Sequence, residues 1–150
     1  MVAFNFFEKF SEDFANGVHD FDDNSGAGYK IMLATAASVS ATDAVKTDIT
    51  ETAGAGNGYT AGGVSVTMST SRSGDTTKVI GAELSSPTWT ASGGTIGPFQ
   101  MAVLYNDRST SPADPLIGWW DYGSSVTLQI GETFTVDLDT SNGIFNINPS

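Results

Sequence analysis

Residues 98–138 read PFQMAVLYNDRSTSPADPLIGWWDYGSSVTLQIGETFTVDL, and this stretch decides the fold. Phe99, Met101, Val103 and Tyr105 alternate with Gln100, Ala102 and Leu104, which is the period of a β-strand. Asn106–Asp114 is a polar loop with Pro112 inside it and Pro115 after it. Leu116–Tyr122 is a continuous apolar run, expected to be buried on both faces or to lie between the core and a partner. Gly123–Ser125 breaks it. Val126, Leu128 and Ile130 then alternate with polar residues, as do Phe134, Val136 and Leu138. Gly131–Glu132 between these two runs predicts a tight hairpin.

The rest of the chain extends the same pattern. Tyr29–Ala34, Val64–Met68, Lys78–Leu84 and Pro87–Ala91 are predicted strands, with a short terminal piece at Ile144–Ile147. Ser69–Thr76 is expected to be a polar hairpin loop, and Thr35–Thr52 a loop with one helical turn near Asp43–Lys46. Turn residues recur between strands at roughly regular spacing, so the fold class is all-β: an antiparallel sandwich, jelly-roll-like. The 150 residues form one expected domain, with a helix over 1–17 and the sandwich over 29–147.

That helix is centred on AFNFFEKFSEDFAN (Ala3–Asn16). On a helical wheel Phe6, Phe7, Phe10 and Phe14 share one arc, Glu8, Lys9 and Glu12 lie opposite, and Lys9 and Asp13 form an i,i+4 pair. Such a face either caps the open end of the sandwich or docks on a neighbouring subunit.

The chain carries 6 Lys and Arg against 17 Asp and Glu, a formal charge of −11. No basic residue follows Arg108. This surface repels phosphate, so nucleic acid is not an expected partner. There is no cysteine, and no apolar run reaches membrane-spanning length, so neither a disulfide framework nor a membrane partner is expected. The acidic N-terminal residues Glu8, Glu12 and Asp13 stand where a secretory signal would be basic and then apolar, which predicts synthesis in the cytoplasm.

Motifs for chemistry are weak. Asp20, Asp22 and Asn24 begin like a calcium loop, but Ser25 and Ile31 stand where an EF-hand needs Gly and Glu. Gly54–Gly63 lacks the lysine and the strand–loop–helix context of a phosphate loop. His19 is the only histidine, read as a surface residue whose cation the nearby carboxylates favour. Asp137 and Asp139 share a strand face, and solvent exposure explains them more simply than glycoside hydrolysis does. No cofactor, metal site or catalytic group is expected.

Four pieces in this order resemble small tailed-phage virion proteins: a short N-terminal helix, GYKIMLATA (28–36), GNGYTAGG (56–63) and the late block from Ile96. The resemblance spans essentially the whole chain. It implies a non-enzymatic structural protein of β-sandwich type, residing in the virion and made in the host cytoplasm. Capsid decoration (cement) is the leading expectation, as a homo-oligomer with a trimer favoured, its partner the major capsid protein or another virion subunit. A tail, neck or fibre component and a carbohydrate-binding attachment module are the alternatives. Expected subunit contacts are Phe6, Phe7, Phe10 and Phe14, the adjacent Trp119 and Trp120, and Asp107 and Arg108 at the start of the polar loop. Adjacent strand residues face opposite ways, so one of the two tryptophans needs cover from a partner or a neighbouring loop.

Overall fold

A computed structural model describes residues 2–25, 28–81 and 86–148. The chain is all-β and its strand pairs are antiparallel. In order, the strands are β1 (Phe4–Phe6), β2 (Tyr29–Ala34), β3 (Val64–Val66), β4 (Met68–Ser73) and β5 (Thr76–Gly81). They continue with β6 (Thr88–Thr90), β7 (Ile96–Asn106), β8 (Leu116–Leu128), β9 (Thr133–Thr135) and β10 (Phe145–Ile147). Among the described residues there is one α-helix, α1, over Phe10–Ala15.

A five-stranded sheet in the order β1-β8-β7-β2-β3 is the centre of the molecule. Its strands alternate between two apolar clusters. Ile31, Leu33, Ala102 and Leu104 face a layer made of two small sheets, β10-β5-β4 and β6-β9. Met32, Val103, Tyr105 and Leu116 face the other way. There Phe7 and the segment from Ala36 to Ile49, with 3₁₀ turns at Ala36–Ser38 and Lys46–Asp48, cover the sheet. The long polar segment after β2 is therefore a lid on a second core, pinned by Thr52 N–H donating to Leu33 O at 2.8 Å and Leu116 N–H to Ala44 O at 3.0 Å. The single helical turn expected at Asp43–Lys46 is replaced by these two turns.

A bulge in β8 sets which tryptophan faces which core. Leu104 pairs with Gly118 and Tyr105 with Leu116, so Ile117 is the extra residue. Beyond it Trp119 turns to the Phe7 side and Trp120 to the Phe4 side. Gly118 is required here: a Cβ would lie 2.4 Å from both Asn5 O and the Phe4 ring. Gly63 has a similar role beside β2, where a Cβ would stand 2.0 Å from Ile31 O at a φ of +80°.

Several expectations are corrected. The N-terminal helix does not run from Ala3. Phe4–Phe6 is a strand on the edge of β8, pairing Phe4 with Trp120 and Phe6 with Gly118, and only Phe10–Ala15 is helical. The segment Phe4-Asn5-Phe6 also alternates with period two, and the ladder offered by β8 outweighs the weak propensity of so short a helix. Leu116–Tyr122 and Val126–Ile130 are not separate strands: β8 runs through Gly123–Ser125, with two further irregularities against β7. The turn before Glu132 exists, Glu132 N–H donating to Gln129 O at 2.9 Å, but it does not close a hairpin. β9 pairs with β6 instead, matching Phe134 to Trp89. Ser69–Ser73 is strand rather than loop, paired with β5 across a turn at Gly74–Asp75. The end of the expected strand Lys78–Leu84 lies outside the described residues.

Candidate interaction surface

The layer opposite the five-stranded sheet is split. Among the described residues β6-β9 and β10-β5-β4 form separate sheets, and the open edge of β9 lies beside β7 and β8. Two hollows lie along it. One, of about 460 Å³, is lined by Gln100, Ala102, Trp120, Tyr122, Phe134 and Asp137, among others. The other, of about 290 Å³, is lined by Phe4, Trp120, Asp137, Leu138 and Ile144, among others. Val2, Trp120 and Asp137 border both, so the two form one trough. Tyr122 stands at its rim, 53% exposed, with its ring edge-on to Phe134 at 5.6 Å. Gln100 is oriented by donating Nε2–H to Asp121 Oδ1 at 2.9 Å, and Gly123 N–H donates to the same oxygen at 2.7 Å. The Asp137 carboxylate is exposed and has no partner among the described residues.

A second apolar surface lies at the N-terminal end. Phe145 of β10 is ringed by Phe4 (5.5 Å), Phe6 (5.0 Å), Phe10 (5.7 Å) and Phe21 (5.5 Å). Phe10 is buried, and Phe7 is buried on the opposite face against Trp119 at 4.6 Å. Phe6 and Phe14 are 42% and 38% exposed, and both touch Phe10. Of the four phenylalanines singled out from sequence, Phe7 and Phe10 are thus committed within the subunit, while Phe6 and Phe14 form an outward-facing apolar pair. Trp119 and Trp120 are both half-buried, each covered by an N-terminal phenylalanine.

Asp107 and Arg108 are held inside the chain. Lys30 Nζ meets Asp107 Oδ2 at 2.7 Å, and Arg108 pairs with Asp23. Burial, then the neighbouring Asp107 carboxylate, pushes Asp114 above the usual carboxylate range. Nearby, Glu51 accepts from Lys46 Nζ (2.9 Å), Gly62 N–H (2.7 Å) and the Tyr59 hydroxyl (2.9 Å). Burial alone would raise its pKa, and these donors together outweigh burial and hold it low. Tyr59 in turn accepts from Leu33 N–H at 3.2 Å, and burial pushes its own pKa far up. This network fixes the glycine-rich 54–63 connection against β2.

The carboxylates of the calcium-like loop serve as loop pins. Asp22 accepts from the Thr70 N–H at 2.7 Å and hydroxyl at 2.6 Å. Asn24 donates to Met68 O and accepts from Met68 N–H, both at 2.8 Å. Among the described residues no group of three or more His, Asp and Glu side chains comes together to hold a metal ion. No helix of the described chain is long and apolar enough to cross a membrane.

His19 is not a surface residue. It is 7% exposed, with its ring stacked on Phe10 (5.5 Å) and Phe21 (5.8 Å). Burial lowers its pKa to about 4, against an opposing pull from Asp13. Its Nδ1 lies 3.3 Å from Asn106 Nδ2, an amide that also donates to Val18 O at 3.1 Å. His19 Nε2 and Asp13 Oδ2 are buried without a hydrogen-bond partner among the described residues.

Gln100, Tyr122 and Phe134 are not among the contact residues that the sequence points to. The alternation of Trp120 and Tyr122 in LIGWWDY already set those two rings on one face. Phe134 reaches them only because β9 leaves β8 to pair with β6. Compared with known proteins, the chain matches no family model, no curated protein and no solved structure.

Proposed function

We propose that this chain is a non-enzymatic structural component of a tailed-phage virion, a capsid decoration protein that stabilises the outer shell as a homo-oligomer. The observation that carries the reading is the Phe6–Phe14 pair, two large apolar side chains left exposed on an otherwise buried aromatic cluster. Exposed apolar groups continuous with a core suit a contact between subunits. The sequence resemblance supplies the phage context. The acidic surface suits an outward position away from packaged DNA. Many carboxylates are engaged in pinning loops or pairing with cations, a structural use of these groups.

Cryo-electron microscopy of the particle that carries the chain tests this. Density spread over the shell in hundreds of copies, with capsids that open at lower temperature once the protein is stripped, is the expected result. Density confined to the tail or portal axis, in six to a few tens of copies, assigns it to the tail, neck or fibre instead. A second reading, host attachment through a saccharide, draws on Trp120, Tyr122 and Phe134 around the trough. A glycan array without hits removes it.

A further inference from the structure

We propose that the trough beside β9 receives an extended, basic segment of a different polypeptide, which adds to the open edge of β9 as a further strand. This inference stands on the geometry of the β9 edge and the trough and does not depend on the virion reading.

The edge is the first part of the argument. β9 pairs with β6 on one side only and has no strand on the other among the described residues. Its hydrogen bonds toward β6 are made by alternate residues. Val136 N–H donates to Pro87 O at 2.9 Å, and the register matches Phe134 with Trp89. In an antiparallel ladder the intervening residues, Thr133 and Thr135, turn their N–H and C=O groups to the opposite edge. Strand addition uses such groups for affinity, with pockets for alternate side chains supplying selectivity. The trough supplies those pockets: Ala102, Trp120 and Phe134 are among its lining.

Charge selects the occupant. Among the described residues Asp137, which borders both hollows, has no cation to pair with, and Asp121 accepts only from Gln100 and Gly123. A second copy of the chain is a poor source of positive charge. All 6 basic side chains are engaged internally: Lys9, Lys30, Lys46 and Arg108 in ion pairs, Arg72 on Gly74 O and Lys78 on Ser141 O. At the trough itself, Asp137 and Asp121 would repel the same acidic surface of a second copy. A strand alternating apolar and basic residues satisfies edge, trough and rim at once.

The test uses the isotope-labelled full chain and the octapeptide Thr-Lys-Val-Lys-Val-Lys-Val-Thr, followed by amide chemical shifts. The expected result is saturable change at Thr133, Thr135 and Asp137 and at the Trp120 indole. The same peptide with Glu for Lys binds about tenfold more weakly or less. Methylating alternate backbone nitrogens of the peptide abolishes the response. Asp137→Asn, an exposed change, weakens binding about two- to fivefold. Equal binding by the acidic peptide, shifts away from β9, or no response at millimolar peptide overturns the proposal. So does a malto- or cello-oligosaccharide that shifts these resonances when the peptide does not, which would make the trough a sugar site.

Discussion

The Phe4 and Phe145 rings lie parallel, 5.5 Å apart with 7° between their planes, joining the first strand of the chain to the last. Phe145 also meets Phe6, Phe10 and Phe21, so one side chain of β10 closes the N-terminal strand, the helix and the loop after it onto the core. Phe145→Ala is expected to cost about 3–5 kcal/mol in urea unfolding. Phe145→Leu should recover part of that loss. Equal stability of the alanine variant and the parent would show that the N-terminal elements hold by other contacts.

Gly118 allows β1 to lie on β8. In Gly118→Ala the new methyl group meets Asn5 O and the Phe4 ring, each at 2.4 Å, and neither can yield without breaking the pairing. The expected outcome is a loss of about 1–3 kcal/mol. Hydrogen exchange at the amides of residues 4–6 should rise far more than exchange in β2 or β7, which marks local detachment rather than general loosening.

Stability should depend on pH through His19. Its folded pKa is lowered to about 4 from 6.5, so the unfolded chain binds the proton first as pH falls. The stabilisation of the neutral ring is fully present above pH 6.5 and is lost as pH falls toward about 4. The total is on the order of 3 kcal/mol. His19→Gln should flatten the slope of unfolding free energy against pH across that window. Carboxylates shape the curve at its acidic end, so the difference between parent and variant is the quantity to read.

Tyr59 ties the glycine-rich connection to β2 through one oxygen, donating to Glu51 and accepting from Leu33 N–H. Tyr59→Phe keeps the ring and leaves a buried N–H unpaired. The expected cost is about 1–3 kcal/mol, with faster hydrogen exchange at Leu33. A variant with unchanged exchange there would show that another group satisfies the amide.

The sequence by itself determined the class of the fold and most of its strands. Alternation in Phe99–Tyr105 and the apolar runs Tyr29–Ala34 and Leu116–Tyr122 are local properties, because neighbouring strand residues face opposite ways whatever lies beyond them. It also placed Trp119 and Trp120 on opposite faces. Only the tertiary structure decided which strand pairs with which. The run Phe134–Leu138 looks like the second arm of a hairpin, yet its partner is Trp89 in β6, a choice made by packing across the core. The phenylalanines of residues 4–14 fit a helical arc and a strand equally well at Phe4–Phe6, and the free edge of β8 settled them as strand. His19 followed the same rule. Its neighbours in sequence are acidic and argue for the surface, while its neighbours in space are Phe10, Phe21 and Asn106, and burial among them overrides the local charge. The trough beside β9 is likewise absent from any single stretch of sequence, because its walls come from β7, β8, β9 and the N-terminal residues, which only the fold brings together.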